Sequence, residues 1–446
     1  SLLGQTLQEW VGNAKVPFEM LPVCSDDTVR RGEDDALMSS TLDLGYPSTT
    51  EPDAVRTFLK RRGPRVVFAT YQSSPVIADA LAKTRQRFDL VIADEAHRCA
   101  GMASSAFATV LDPKKIPARK RIFMTATQRY YTGRIIKEAK AEQGDLEVAS
   151  MDNEAVFGPV FHRLTFGQAI EQKLLSDYRV VIVGIDDVRY RRYAERGRLV
   201  KLQGVGKTDA RTLAAHLGLA KTMRTYDMAR VISFHGRVSG AKAFATAVPK
   251  IIDWMPRRER PSGAIWAEAV SGAMAAGARK TRLDRLRAVD TGERGLLSNA
   301  RCLGEGIDVP TLNGIAFIDP KHSQVDIVQA VGRAIRKGDG TKTATIVLPV
   351  FVDMTADGDE VLDASAYRAI ASVLRAMRDH DEELAEELDN IRRRIGLRKR
   401  VKVELPDKLV LDLPIGKAFS SAIRSKVVRL TTQSWEELYG QLVDYA

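Results

Sequence analysis

The sequence predicts an α/β protein built as two tandem parallel-sheet domains followed by a mainly helical extension. Three observations carry this reading. Short apolar runs alternate with helical stretches over roughly the first 350 residues, the pattern of parallel α/β domains. Several of these runs pass straight into polar clusters. Beyond about residue 351 the character changes to densely charged helical sequence. A chain of 446 residues exceeds one typical core, and the boundaries are read as 1–165, 166–350 and 351–446.

In the first domain, Val66-Val67-Phe68-Ala69, Leu90-Val91-Ile92-Ala93 and Ile122-Phe123-Met124 read as buried strands. They deliver Thr70-Tyr71-Gln72-Ser73, Asp94-Glu95-Ala96-His97 and Thr125-Ala126-Thr127. Ligands bind beyond the carboxyl ends of parallel strands, so the three clusters are expected to form one composite site. A crossover near Phe157–Phe166 leads to a second sheet that opens within Leu174–Ile185. A helix is expected over Ala210–Tyr226, then strands at Val231–Phe234, Gly263–Ala267, Gly295–Ser298, Gly314–Ile318 and Ala344–Val350, with a helix from Gln324 to Ala334. In the third region, Leu374 to Ile395 is helical in pattern and runs into Arg392-Arg393-Arg394 and Arg398-Lys399-Arg400. Those cations fit either a solvated helix face or a phosphate-contacting patch. Arg189-Tyr190-Arg191-Arg192-Tyr193 mixes cations with aromatics, which suits base stacking or ordinary surface.

Composition narrows the function classes. Hydrophobic content of 44% with 28% charged residues is that of globular protein, and no apolar run approaches the roughly 20 residues that span a bilayer. No signal peptide is read at the start, and because the first residue is Ser1 a processed or truncated N-terminus is expected. Cys24, Cys99 and Cys302 are far apart and odd in number, which argues for a reducing cytoplasmic setting rather than a disulfide framework. Six scattered histidines give no zinc pattern. A net charge of +11 suits a polyanionic partner.

Two motifs carry chemistry. Phosphoryl transfer from ATP to water needs a carboxylate near Mg²⁺ and a group that orients the attacking water. Asp94 and Glu95, adjacent at a strand end, can divide those roles, Asp94 toward the metal and Glu95 toward the nucleophile. The competing reading is a chance acidic pair at a strand terminus. Arg333 and Arg336, three apart on one helix face in Gln329-Ala330-Val331-Gly332-Arg333-Ala334-Ile335-Arg336, fit phosphate-contacting arginines or a basic helix end. Gly332 is costly in a helix and suggests close packing.

In their order along roughly residues 1 to 350, these features resemble the superfamily 2 (DEAD/DEAH-type) helicases. Leu2–Trp10 looks like the end of motif Ia, Thr70–Ser73 like motif Ib and Asp94–His97 like motif II. Thr125–Thr127 resembles motif III and Ser233-Phe234-His235 motif IV. Ser298-Asn299-Ala300-Arg301-Cys302-Leu303-Gly304-Glu305-Gly306-Ile307-Asp308-Val309-Pro310 resembles motif V, and Gln329–Arg336 motif VI. The resemblance implies two RecA-like lobes with ATP and Mg²⁺ in the cleft between them. Asp94 and Glu95 would serve the metal and the water, with His97, Thr125 and Thr127 coupling hydrolysis to movement. Gly304, Glu305, Gly306 and Asp308 would contact nucleotide and backbone, while Gln329, Arg333 and Arg336 reach the phosphates. Thr70, Gln72, Ser298 and His235 are expected on the nucleic-acid track, where phosphate contacts position without reading sequence.

More narrowly, the chain is similar to bacterial helicases related to type III and type ISP restriction enzymes, which favours DNA over RNA and restriction or defence-system partners. Ser434-Trp435-Glu436-Glu437-Leu438-Tyr439 resembles the opening of a helicase-associated repeat. One family element has no counterpart: a GxxxxGK[ST] phosphate loop upstream of motif Ia. Gly204-Val205-Gly206-Lys207-Thr208 imitates its end but lies out of order, with Lys201 where the first glycine belongs. The loop is therefore expected before Ser1, and this stretch alone is expected to hydrolyse little ATP. The rival readings are a non-catalytic nucleic-acid-binding module and a translocase that moves on duplex DNA without unwinding it.

Overall fold

The computed structural model describes residues 2–24, 48–82, 84–102, 106–129, 148–186, 210–300, 312–319, 324–337, 343–353, 362, 364–397, 403–415 and 417–432. The chain divides into two compact units, one of residues up to Arg163 and one that begins at Leu164.

The first unit contains α1 (Leu2–Asn13), β1 (Glu19–Val23), α2 (Pro52–Leu59), β2 (Arg65–Ala69), α3 (Ser74–Leu81), β3 (Phe88–Ala93), β4 (Gly101–Met102), β5 (Ala118–Phe123), β6 (Val148–Ala149) and α4 (Glu154–Phe157). β1 pairs with β2 and β3 with β5, both in parallel, while the short β4 and β6 pair antiparallel. Val23, Val55, Ile77, Leu81, Val110 and Ile116 form its core. Burying each such aliphatic side chain contributes about 1.5–3 kcal/mol. One face stays open: Leu90 and Ile92, alternate residues of β3, are 44% and 39% exposed, as is Met124 at 44%.

The second unit is organised by a seven-stranded sheet. In chain order its elements are α5 (Phe166–Glu171), β7 (Tyr178–Asp186), α6 (Ala210–Thr225), β8 (Arg230–His235), α7 (Val238–Trp254), β9 (Ala264–Ser271), α8 (Ala276–Arg287), β10 (Glu293–Ala300), β11 (Gly314–Phe317), α9 (Gln324–Ala334), β12 (Ala344–Val352), α10 (Ala364–Arg378), α11 (Glu382–Leu397), β13 (Leu409–Asp412) and α12 (Lys417–Thr432). The strand order is β13-β7-β12-β11-β8-β10-β9, with every described pairing parallel. β7 shows why such strands read as continuous apolar runs. Val181, Val183 and Ile185 enter one core with residues of α6 and α7, while Val180 and Ile182, on the opposite face, are equally buried. Gly263 (φ +83°) is required at the start of β9, because a Cβ there would lie 2.0 Å from the Gly292 carbonyl oxygen.

The region after 351 is mainly helical, with one strand that joins the sheet through β7. The single helical stretch expected over Leu374–Ile395 is instead two helices, and Asp381 is the physical reason. Its carboxylate accepts from the Leu384 amide at 3.1 Å, which caps α11, and from the Tyr178 hydroxyl at 2.7 Å. Lys408 lies 3.1 Å from the same carboxylate, so a fully buried charge is paired and hydrogen-bonded. Arg375 and Arg392 donate to the Leu430 and Thr432 carbonyls at the end of α12, where the helix dipole favours cations. Arg392 thus holds two helices together, and Arg393 donates to Asn390. Arg398–Arg400, Arg189–Tyr193, Gly204–Thr208 and Ser434–Tyr439 lie outside the described residues.

Candidate functional site

The three polar clusters of the first unit meet beyond the carboxyl ends of their strands. β3 stops at Ala93 because the chain turns there, with Glu95 left-handed (φ 51°, ψ 44°) and a 3₁₀ turn over Ala96–Arg98. Such a conformation costs a non-glycine residue on the order of 1–3 kcal/mol and tends to be kept at functional sites. It is held from two sides. The Glu95 amide donates to Asp94 Oδ1 at 2.9 Å, and the Ala96 amide donates to the Met124 carbonyl at 2.8 Å, beyond β5. From the β2 side, the Tyr71 hydroxyl donates to the Asp94 carbonyl. Burial pushes the Tyr71 phenol well above its ordinary range, so it remains a donor. Tyr71 is a positioning residue for the acidic pair; the sequence places it in the right cluster but assigns it no role.

His97 links the second cluster to the third. Its ring is buried, with Nδ1 3.0 Å from Thr125 Oγ1 and 3.3 Å from Glu95 Oε2. The Thr125 hydroxyl gives its proton to the Thr127 carbonyl at 2.8 Å and accepts from the Thr127 amide at 3.1 Å. Thr125 therefore accepts from His97, which assigns the proton to Nδ1. Asp94 is exposed, whereas the Glu95 side chain is 25% exposed and points back to the imidazole. Thr127 is buried, and its hydroxyl has no hydrogen-bond partner among the described residues. Thr70, at the position before the 3₁₀ turn Tyr71–Ser73, shares a 3.0 Å hydroxyl contact with Ser73, and Gln72 is half-buried beside it.

Magnesium is a hard cation that takes oxygen ligands, commonly one or two carboxylates plus substrate phosphates. The exposed Asp94 carboxylate beside Glu95 fits that donor set. No cluster of three or more metal-ligating side chains exists among the described residues.

In the second unit the candidate residues sit differently. Ser298 is fully buried within β10 and His235 is 4% exposed at the end of β8. Ser233 joins them: its hydroxyl donates to Ser298 Oγ at 3.0 Å and lies 3.0 Å from His235 Nε2. With that proton committed to Ser298, Nε2 is the donor to Ser233. The period-two spacing of Ser233 and His235 on one strand face was the signal that could have revealed this relay. On α9, Gln329 and Arg333 are half-buried one turn apart, and Arg336 is exposed beyond the helix end. Among the described residues an added Cβ at Gly332 would meet nothing within 4 Å, so the packing reason expected for it is not found there. Gly304, Glu305, Gly306 and Asp308 lie outside the described residues.

Comparison with known proteins places this geometry. Residues 31–129 match the family described as Type III restriction enzyme, res subunit, and residues 219–338 match Helicase conserved C-terminal domain. The ATP-dependent Type ISP restriction-modification enzyme LlaBIII, solved bound to DNA, superposes over 99% of the chain with a TM-score of 0.78 and 27% identity. Together these matches make the chain similar to the superfamily 2 helicases related to restriction enzymes. A nuclease-deletion mutant of the Type ISP enzyme LlaGI, in complex with a DNA substrate mimic, is similar to this chain over its whole length (TM-score 0.58, 25% identity). So is the African swine fever virus protein named "Probable helicase A859L" (isolate Tick/South Africa/Pretoriuskop Pr4/1996), 26% identical over 313 residues, or 68% of this chain. The chain spans 30% of the viral protein and 30% and 28% of the two restriction enzymes. No described helix is long and apolar enough to cross a membrane.

Proposed function

We propose that this chain is the motor portion of an ATP-driven DNA translocase or helicase that belongs to a restriction or defence system. The observation that carries the reading is the network of Asp94, Glu95, His97 and Thr125, which holds an acidic pair in a strained turn beyond a strand end. Glu95 orients the attacking water and takes its proton on the carboxylate, whose Oε2 lies 3.3 Å from the buried His97 ring. Asp94 would hold Mg²⁺, which supplies positive charge against the triphosphate. Arg333 and Arg336 add positive charge to the phosphates, as arginines do in phosphoryl transfer. The coupling of Glu95 to Thr125 and Thr127 through His97 offers a route by which loss of the γ-phosphate shifts the residues beyond β5. DNA as the track is favoured by the likeness to LlaBIII, a restriction-modification enzyme solved bound to DNA, across nearly the whole chain.

The sequence holds no GxxxxGK[ST] stretch in order ahead of these motifs, so hydrolysis is expected only from a protein that also carries that loop. The open apolar face of Leu90, Ile92 and Met124 is consistent with further chain packing on this unit.

DNA-stimulated ATP hydrolysis tests the reading, with residues 1–446 compared with the protein extended to include a phosphate loop. Glu95→Gln is expected to lower kcat of the extended protein by about 10²–10⁴-fold, the usual contribution of a general base. Triplex displacement without strand separation would identify translocation. An extended protein that hydrolyses no ATP, with or without DNA, would leave a binding module on a helicase scaffold.

A further inference from the structure

The amino ends of the first unit's strands, opposite the motif residues, gather positive charge. Ahead of β2 and at its start, Lys60, Arg61, Arg62 and Arg65 are all exposed. Arg85 and Arg87 are exposed just before β3. Lys114 and Lys115 precede β5 and Arg119 and Lys120 lie in its first turn of residues, again all exposed. The fold brings the three segments to one place. The Leu59 carbonyl accepts from the Arg65 guanidinium and from Gln86 Nε2 at 3.1 Å, which ties the first segment to the second. The Phe88 amide donates to the Pro117 carbonyl at 2.9 Å, which ties the second to the third.

Few carboxylates offset this charge. Glu19 lies 3.1 Å from Arg61 and Asp89 lies 3.5 Å from Arg119, exposed pairs of the kind that contribute little. Asp112 accepts from the Lys114 backbone amide. Like charges held this densely repel one another, and a polyanion relieves that repulsion.

We propose that this face is a second nucleic-acid-binding surface, which takes the phosphate backbone of a duplex without reading its sequence. The choice of duplex over single strand rests on what the segments lack. Proteins that hold single strands stack bases on exposed aromatics, and none is exposed in residues 59–65, 84–89 or 112–121. The surface is distinct from the expected track, which begins at Thr70 past the other end of β2, about 16 Å from Arg65 at about 3.3 Å per residue. It requires no ATP and would keep the motor close to duplex DNA between steps.

Fluorescence anisotropy with a duplex of about 30 bp and a single strand of equal length, titrated in salt, tests this. The variant R62Q/R87Q/K115Q/K120Q removes four exposed cations that hold no described side chain. Duplex affinity is expected to fall at least tenfold at low salt, and the slope of log K against log salt to drop by about 3–4, near 0.9 per lost phosphate contact. The matched variant K242Q/R257Q/R258Q/K280Q removes the same charge from the second unit and is expected to change little. Equal losses in both variants, an unchanged slope, or tighter binding of the single strand would each overturn the proposal. So would loss of binding to phosphatidylserine vesicles with duplex binding intact. Should the quadruple variant lose its circular dichroism signal, R62Q/R87Q and K115Q/K120Q carry the same test separately.

Discussion

In the first unit, Asp94 and Glu95 stand in a turn past the last residue of β3, with Asp94 exposed and Glu95 a quarter exposed. In the second unit, Ser298 lies inside β10 between β8 and β9, and His235 closes β8, both covered by their neighbours. The difference follows from where each residue falls relative to the strand end. A polar side chain beyond the last ladder residue stays reachable by a ligand. A polar side chain within a central strand must satisfy its hydrogen bonds from adjacent strands, as Ser298 does through Ser233. Substitutions in the first unit should therefore act on chemistry with little effect on stability, and those in the second unit should do the reverse.

The largest stability effect is expected at His216, deep in the second unit. Its ring stacks on Phe244 at 4.0 Å, with Nδ1 2.6 Å from the Thr212 carbonyl and Nε2 3.4 Å from that of Phe244. Burial pushes the imidazole down to about 4, against the pull of those two carbonyls. Unfolding therefore takes up a proton between the folded value and the ordinary 6.5. Stability should fall as pH drops from about 6.5 to 4, by about 3 kcal/mol in all. Urea midpoints across that range, for the native chain and His216→Gln, measure it. A slope that persists undiminished in the variant would assign the effect to other groups.

Next in size is Ser233→Ala, which leaves Ser298 and His235 each short of one partner in a sealed sheet. A loss of about 1–3 kcal/mol is expected, the usual consequence of stranding a buried polar group. The double variant with Ser298→Ala should lose less than the sum of the singles, because both remove one bond. Strictly additive losses would break the relay apart. Duplex affinity measured on the same proteins shows whether Ser298 also serves a nucleic-acid strand.

Much of this arrangement was legible in the sequence, for reasons that differ by element. β7 and β12 were legible because strands buried on both faces are apolar at nearly every position, and β8 and β10 through the shorter apolar runs Val231-Ile232 and Leu296-Leu297. The helix Gln324–Ala334 matched its expected limits, since its apolar residues recur with helical period. β7 begins at Tyr178, later than expected, because Leu175 instead forms an isolated bridge with Arg336. β1 was missed: no element was assigned to these five residues, which contain Pro22, and they form a strand through pairing with β2. β13 was missed in the same way, a four-residue strand in helical surroundings that exists through β7. At the site, the meeting of the three clusters followed from strand ends alone. The burial of Ser298 and His235 did not, because a motif's spelling carries no information about which strands flank it.

The smallest and most discriminating effect is expected at Thr127. Its backbone completes the His97–Thr125 network, yet its hydroxyl is buried with no partner among the described residues. A buried hydroxyl without a partner is destabilising by about 1–3 kcal/mol, and valine presents nearly the same shape without that penalty. Thr127→Val should thus leave stability unchanged or raise it by about 1 kcal/mol, read as a shift of the urea midpoint at constant slope. If the hydroxyl is kept to meet a partner that arrives with nucleotide or DNA, the same variant should lose DNA-stimulated hydrolysis in the phosphate-loop-bearing protein. A gain in stability with lost activity would mark Thr127 as a residue whose unmet bond belongs to the working cycle. A gain in stability with full activity would place it with ordinary packing, and restrict the coupling of Glu95 to β5 to His97 and Thr125.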